Sequence, residues 1–268
     1  MASFRRHFTM SKAIIQSDYE IIKANIYFYS MKKAIVIGAS SGIGKSLAEL
    51  LLREGYEVGV TGRREELFQS IKTHDSNRIF FKKMDVMDLS TLEPICNELV
   101  RQMGGLDLLI ISAGIGEENK KLNFEVENNV IKTNILGFTC IADWGLRYFK
   151  QQEYGHLVNI SSIAGIRGNG IAPSYNATKA YQINYLEGLR INVKGYGSSI
   201  TITDVRPGFV DTAMAKGEGL FWVASVQKAA EQIFEAIRQK KQVVYITKRW
   251  RLIALILRII PFSILKRV

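Results

Sequence analysis

The chain has 268 residues, 47% hydrophobic and 23% charged, with a formal net charge of +11. That profile excludes a disordered chain and leaves room for one or two domains with a sizeable core. The charge also fails to support a nucleic-acid partner. Residues 248–268 carry six Lys/Arg and no acid, while the span 31–247 is nearly balanced, so no basic stripe with interleaved aromatics crosses the body.

Residues 1–30 begin with a basic pair, Arg5-Arg6, but contain neither a continuous apolar stretch nor a small-residue cleavage site. They read as an extension rather than a secretory signal, and Asp18 and Glu20 weigh against an organelle-targeting segment. Met31 stands directly before the first strand pattern, so the expectation is that Met31 is a natural start or that 1–30 is a dispensable extension.

From residue 32 onward, short apolar runs alternate with helix-like stretches. Strands are expected at 33–37, 57–61, 79–83, 107–111, 156–160, 200–205 and 243–246. Helices are expected from the 38–44 turn to about 53, and at 64–73, 89–103, 127–150, 174–193 and 225–239. Strands that are apolar throughout, alternating with helices, imply a parallel sheet covered on both faces. The expected architecture is a doubly wound, Rossmann-type α/β sheet of about seven strands. It forms one domain over 31–247, with the extension 1–30 and a tail 248–268 attached.

Cys96 and Cys140 lie far apart inside helical patterns and read as small buried hydrophobes. No disulfide framework and no metal-ligand spacing is present, so no metal is expected and a reducing cytosol fits.

The first strand runs into Gly38, Ala39, Ser40, Ser41, Gly42, Ile43 and Gly44, which open a helix. Gly38 allows the tight turn, Gly42 lets backbone approach a pyrophosphate, and Gly44 lets helix pack closely on sheet. Free N–H groups and the helix dipole then favour phosphate. After the second strand stand Arg63 and Arg64, where an acid would bind ribose hydroxyls and repel a 2′-phosphate. Guanidinium groups pair well with phosphate, so these residues point to NADP(H) over NAD(H).

Tyr175 and Lys179 lie one helical turn apart on one face. An ammonium beside a phenol favours the phenolate, so Lys179 is expected to lower the pKa of Tyr175 and make it a usable proton donor and acceptor. Ser162 lies thirteen residues before Tyr175.

Together, the glycine run, Ser162, Tyr175 and Lys179 resemble the short-chain dehydrogenase/reductase family over about 31–246. The resemblance implies further roles, position by position. Asp85 and Val86 match the pair that contacts adenine. Ser112, Ala113 and Gly114 match the Asn-Ala-Gly element beside the nicotinamide ribose. Asn134 matches the helix asparagine that holds a water in a proton relay. Pro207, Gly208, Val210 and Thr212 match the segment closing over the nicotinamide, with Thr212 bonding its carboxamide. Two positions depart from the family: Ile37 replaces a Thr and Ser112 an Asn, which implies altered local bonding rather than lost chemistry.

The resemblance implies hydride transfer between NADP(H) and a carbonyl or secondary alcohol. Tyr175 is then the general acid/base, with Asn134, Ser162 and Lys179 completing the catalytic group. It also implies a homodimer or homotetramer through the helices near 127–150 and 174–193. Residues 213–223 place two glycines beside Phe221 and Trp222 and read as a lid over a nonpolar substrate, or as a loop anchored in the core. The tail 248–268 combines basic residues and Trp250 with an apolar block too short to span a bilayer. It reads either as a helix in a membrane interface, making the protein peripheral there, or as a segment packed on protein. A hydrophobic or lipid-linked carbonyl is the favoured substrate; a small polar ketone or sugar, and a non-catalytic NADP(H) sensor, are the alternatives.

Overall fold

The first strand, β1 (Lys33–Ile37), shows how the chain builds its two cores. Side chains alternate across a strand. Ala34 and Val36 enter one buried cluster, Ile35 and Ile37 the other. Both faces are therefore covered, and an uninterrupted apolar run is what such a strand requires. The structure is a computed structural model describing residues 32–68, 71, 77–197, 199–215 and 221–265. The extension 1–30 and the expected start at Met31 lie outside the described residues.

Six further strands follow: β2 (Glu57–Gly62), β3 (Ile79–Lys83), β4 (Leu108–Ile111), β5 (Gly155–Ile160), β6 (Ile200–Pro207) and β7 (Val243–Ile246). All pair in parallel, in the order β3-β2-β1-β4-β5-β6-β7. The order reverses between β1 and β4. Loops leaving those two strands diverge there and open a crevice at the strands' carboxyl ends, where ligands bind in such sheets.

Helices α1 (Gly42–Arg53), α2 (Leu89–Met103), α3 (Phe124–Ile131), α4 (Phe138–Gln152), α5 (Pro173–Asn192) and α6 (Val226–Arg238) flank the sheet. On one face, Leu47 and Leu51 of α1 and Ile233 and Ile237 of α6 pack against Val58, Leu108 and Val158. On the other, Leu99 of α2, Phe138 and Ile141 of α4, and Leu186 of α5 pack against Leu109, Leu157 and Ile202.

Two departures from the sequence expectation matter. The helix expected over 64–73 is represented by a short 3-10 turn, Glu66–Phe68, and most of its remainder lies outside the described residues. The helix expected over 127–150 is three segments, because a π-helical stretch, Lys132–Gly137, separates α3 from α4. Gly137 permits this approach: a Cβ there would overlap the Val86 carbonyl. The tail forms α7 (Trp250–Ile259) and α8 (Phe262–Leu265) and is docked on the body through Trp250.

Candidate active site

The glycine run does what its spacing requires. Gly38 has φ +85°, and a Cβ there would stand 2.6 Å from the Ala113 backbone nitrogen, so only glycine allows the turn. Gly44 lies beneath the run, where a Cβ would overlap the Gly38 carbonyl; its role is to let α1 close on the loop. Ser41 caps α1 without a side-chain bond to the first turn. The helix therefore presents unsatisfied N–H groups and the positive end of its dipole.

These elements form one end of a cleft of about 1600 Å³. Gly38, Ser40, Ser41, Gly42 and Ile43 line it, with Arg63 and Arg64 above and Asp85 and Val86 beside them. Arg64 Nη2 donates to Ser40 Oγ and Ser41 Oγ, each at 3.4 Å. Asp85 is partly engaged, its Oδ1 accepting from Met87 N at 3.0 Å. Ser112, Ala113 and Gly114 follow β4 along the cleft floor. Ser112 N donates to Ile37 O at 2.9 Å, so the two departures from the family pattern meet in one sheet-end bond. Pro207, Gly208, Val210 and Thr212 line the opposite wall. Thr212 stands close over Gly42: a Cβ there would lie 3.2 Å from its methyl carbon.

Ser162, Tyr175 and Lys179 converge in the middle of this cleft. Ser162 lies two residues past β5 and caps a 3-10 turn (Ile163–Ile166), its Oγ accepting from Ala164 N at 3.1 Å. Pro173, at the first position of α5, sets the helix start. Asn176 anchors that start by donating to Ala164 O and Arg167 O, both at 2.8 Å. The Tyr175 ring lies against Gly116, where a Cβ would stand 2.9 Å from it.

Lys179 is buried. Its Nζ donates to Ile160 O at 2.9 Å and to Gln182 Oε1 at 3.1 Å, and lies 5.9 Å from the Tyr175 ring centre. Burial lowers its pKa to about 8, with Asp204 opposing. The expectation that Lys179 lowers the Tyr175 pKa is corrected here. Burial of the phenol raises it, and the hydrogen bond to Ser162 opposes that rise.

Asn134, fully buried in the π-helical stretch, does not line the cleft. Its Oδ1 accepts from Ile115 N at 2.9 Å, and its Nδ2 donates to Ile115 O at 2.7 Å and Thr178 Oγ1 at 3.1 Å. The side chain thus holds the loop after β4 and the start of α5 together. Its backbone carbonyl accepts from Gln182 Nε2 at 2.8 Å.

The folded geometry resembles that of known enzymes as well. The short chain dehydrogenase profile matches residues 32–220. The chain is 34% identical over 193 residues to an oxidoreductase of Myxococcus xanthus, covering 69% of this chain and 74% of that protein. It is 30% identical over 187 residues to the 3-oxoacyl-[acyl-carrier-protein] reductase of Vibrio cholerae, covering 69% and 76%. A short-chain dehydrogenase structure from Streptomyces avermitilis superposes with TM-score 0.72 at 24% identity, covering 81% of this chain and 88% of that one. This chain belongs to the short-chain dehydrogenase family. It is an oxidoreductase of that family, whose members use a nicotinamide cofactor.

Several residues of this short-chain dehydrogenase escaped the sequence reading. Gln182 is fully buried and joins Lys179, Asn134 and Asn159, whose Nδ2 donates to Gln182 Oε1 at 3.2 Å. Its position three residues after Lys179 was the available signal, but a glutamine on a helix ordinarily faces water. Behind Ser162, Ser161 Oγ donates to Asp204 Oδ1 at 2.5 Å, and Arg206 Nε donates to Asp204 Oδ2 at 2.6 Å. This buried pair ties the ends of β5 and β6, which carry Ser162 and Pro207.

The expected lid divides in two. Met214 and Ala215 line the cleft, whereas Phe221 and Trp222 pack on Trp250, and 216–220 lie outside the described residues. Leu257, Phe262 and Leu265 of the tail also line the cleft.

Proposed function

We propose that this short-chain dehydrogenase interconverts a carbonyl and a secondary alcohol with NADP(H), acting on a hydrophobic or lipid-linked substrate. One observation carries the reading: Ser162, Tyr175 and Lys179 meet in the same cleft as the glycine run. The residues fit a dinucleotide, since Gly38 and Gly42 hold conformations and spaces that a side chain would fill.

When bound, the nicotinamide supplies or takes the hydride. Arg63, Arg64, Ser40 and Ser41 would hold the adenosine phosphate end, and Asp85 and Val86 the adenine. Ser112, Ala113, Gly114 and Lys179 would hold the nicotinamide ribose, with Pro207, Gly208, Val210 and Thr212 over the ring. Ser162 hydrogen-bonds the carbonyl oxygen and stabilises negative charge developing there. Tyr175 donates its proton to that oxygen in reduction and takes it back in oxidation. Lys179 holds positive charge beside Tyr175, and Gln182 and Asn134 hold Lys179. A raised Tyr175 pKa suits reduction, because it keeps the phenol protonated and ready to donate.

The apolar residues of the cleft support the substrate class. Ile163, Ile166, Met214, Leu257, Phe262 and Leu265 line the same cleft as Tyr175. The Vibrio cholerae relative, named for a carrier-linked oxoacyl substrate, supports the same class. The domain reading is retained: a catalytic body over 31–247, a dispensable extension 1–30 and the tail 248–268. We assign homo-oligomerisation to the helices near 127–150 and 174–193, where Ile131, Leu136 and Ile191 are exposed. We place the protein in the cytoplasm, with the tail at a membrane surface.

The test is NADPH oxidation against a carbonyl panel spanning sugars, steroids, acyl chains and quinones. Tyr175→Phe is expected to cut turnover by about 10²–10⁴-fold while NADPH still binds. Near-normal turnover in that variant would exclude the assignment. Preference for sugars over acyl chains would exclude the substrate class.

A further inference from the structure

The tail helix α7 has two working faces. Trp250 and Ala254 are buried against the body. The Trp250 ring sits 5.2 Å from Phe209, 5.1 Å from Phe221 and 6.1 Å from Trp222. It covers Gly208, where a Cβ would overlap the indole. Arg167 Nη2 donates to Ile260 O at 3.2 Å, tying the tail to the turn after Ser162. Leu257, on the same inner stripe as Trp250 and Ala254, lines the catalytic cleft, followed by Phe262 and Leu265 of α8.

The outer face is apolar and open. Leu252, Leu255, Ile256 and Ile259 follow the i, i+3, i+4, i+7 spacing of one helical stripe and are 45–81% exposed. Arg251 and Arg258 are exposed along one flank, and Lys248 and Arg249 precede them. Residues 248–265 contain no acid. Phe262 is 72% exposed and still lines the cleft, so it stands at the rim where the two faces meet.

Resting on the reductase reading above, we infer that the outer face of α7 seats on an anionic lipid bilayer, and that the substrate is an apolar carbonyl dissolved in that bilayer which enters past Phe262. An apolar stripe flanked by cations is what an anionic membrane interface accepts. No helix among the described residues is long and apolar enough to cross a membrane, so the contact lies in the interface plane. A second copy is the poorer occupant. An isologous contact pairs a surface with itself, which would bring Arg251, Arg258 and their basic neighbours together with no acid in the segment to offset them. Because the same short helix bears the bilayer face and the cleft wall, docking and substrate entry become one event.

The test uses the full chain and phosphatidylcholine vesicles with or without phosphatidylglycerol. Two outer-face double variants are compared, Leu255→Ser with Ile259→Ser, and Arg251→Glu with Arg258→Glu. Flotation reads binding. NADPH oxidation reads reduction of a long-chain methyl ketone dissolved in the vesicles, and of butanone in water. Wild type is expected to float with the anionic vesicles, and each double variant to lose about tenfold or more of that binding. Reduction of the long-chain ketone should fall with it, while butanone turnover stays within about twofold, which also shows that the variants fold.

Wild type left in solution beside anionic vesicles overturns the inference, as does undiminished binding by both variants. Sedimentation showing that the variants dissolve a dimer assigns the face to a second copy instead. Equal loss of both ketone activities removes the entry role. If wild type reduces neither ketone, the reductase reading falls and the entry role with it, and flotation then judges the bilayer contact by itself.

Discussion

Gln182 Oε1 accepts a hydrogen bond from Lys179 Nζ at 3.1 Å while Gln182 Nε2 donates to the Asn134 carbonyl at 2.8 Å. The second bond orients the amide, so its oxygen must face the lysine. A buried ammonium depends on such acceptors to stay charged. Gln182→Leu is therefore expected to lower the Lys179 pKa below its value of about 8. The alkaline limb of kcat/KM for carbonyl reduction should move to lower pH, by about one unit. Gln182→Glu should move it the other way, because a carboxylate favours the ammonium. A purely structural role would lower turnover in both variants and leave the limb in place.

Arg64 reaches the hydroxyls of Ser40 and Ser41 and so sits on the glycine run itself, while Arg63 lines the cleft beside it. Replacing either with Asp removes a phosphate partner and adds a repelling charge. The ratio of kcat/KM for NADPH over NADH should fall by about 10- to 100-fold per site. Both ratios left unchanged would overturn the choice of NADP(H).

His156 is buried, with Nε2 bonded to Thr203 Oγ1 at 2.7 Å, and burial lowers its pKa to about 4, with Lys240 adding to the shift. The unfolded chain binds a proton near pH 6.5, before the folded chain does. Stability from this residue is thus present above pH 6.5 and lost as pH falls through 4. The loss approaches about 3 kcal/mol. Denaturant unfolding between pH 7 and 4 should show this slope, and His156→Gln should flatten it.

Gly208→Ala would force the Trp250 indole out of its seat. Overpacking of this kind costs about 1–3 kcal/mol. Thermal unfolding should report the lower stability, and limited proteolysis should cut within 248–265 faster than in wild type. The KM for a hydrophobic carbonyl should rise, since Leu257 and Phe262 ride on the same tail.

Much of the fold was legible because its signals are local. After Lys33, the first strand is apolar at every position, 34–37, as a sheet covered on both faces requires. The glycine run needed no tertiary knowledge, since a tight turn and a close helix require glycine wherever they occur. The π-helical stretch was not legible. The Val86 carbonyl that packs on Gly137 at its end belongs to a residue 51 positions away in the chain.

The candidate catalytic side chains show the same division. Ser162, Tyr175 and Lys179 were found from spacing, and the fold brings them into one cleft. The sign of the Tyr175 shift was misjudged, because proximity to a lysine can be read from a helix repeat while burial cannot. Gln182 went unnoticed for the same reason, since its importance lies in what surrounds it.

The sequence by itself determined the strand-helix alternation, the glycine turn after β1 and the candidate site residues, because each depends on residues within a few turns of one another. Only the tertiary structure decided which face of the tail meets the body. Residues 248–265 are apolar on both sides of a helix, and composition cannot rank two such faces. Trp250 finding the bare surface of Gly208, 42 residues earlier, is what turns Leu257 and Phe262 toward the cleft and leaves Ile259 outside.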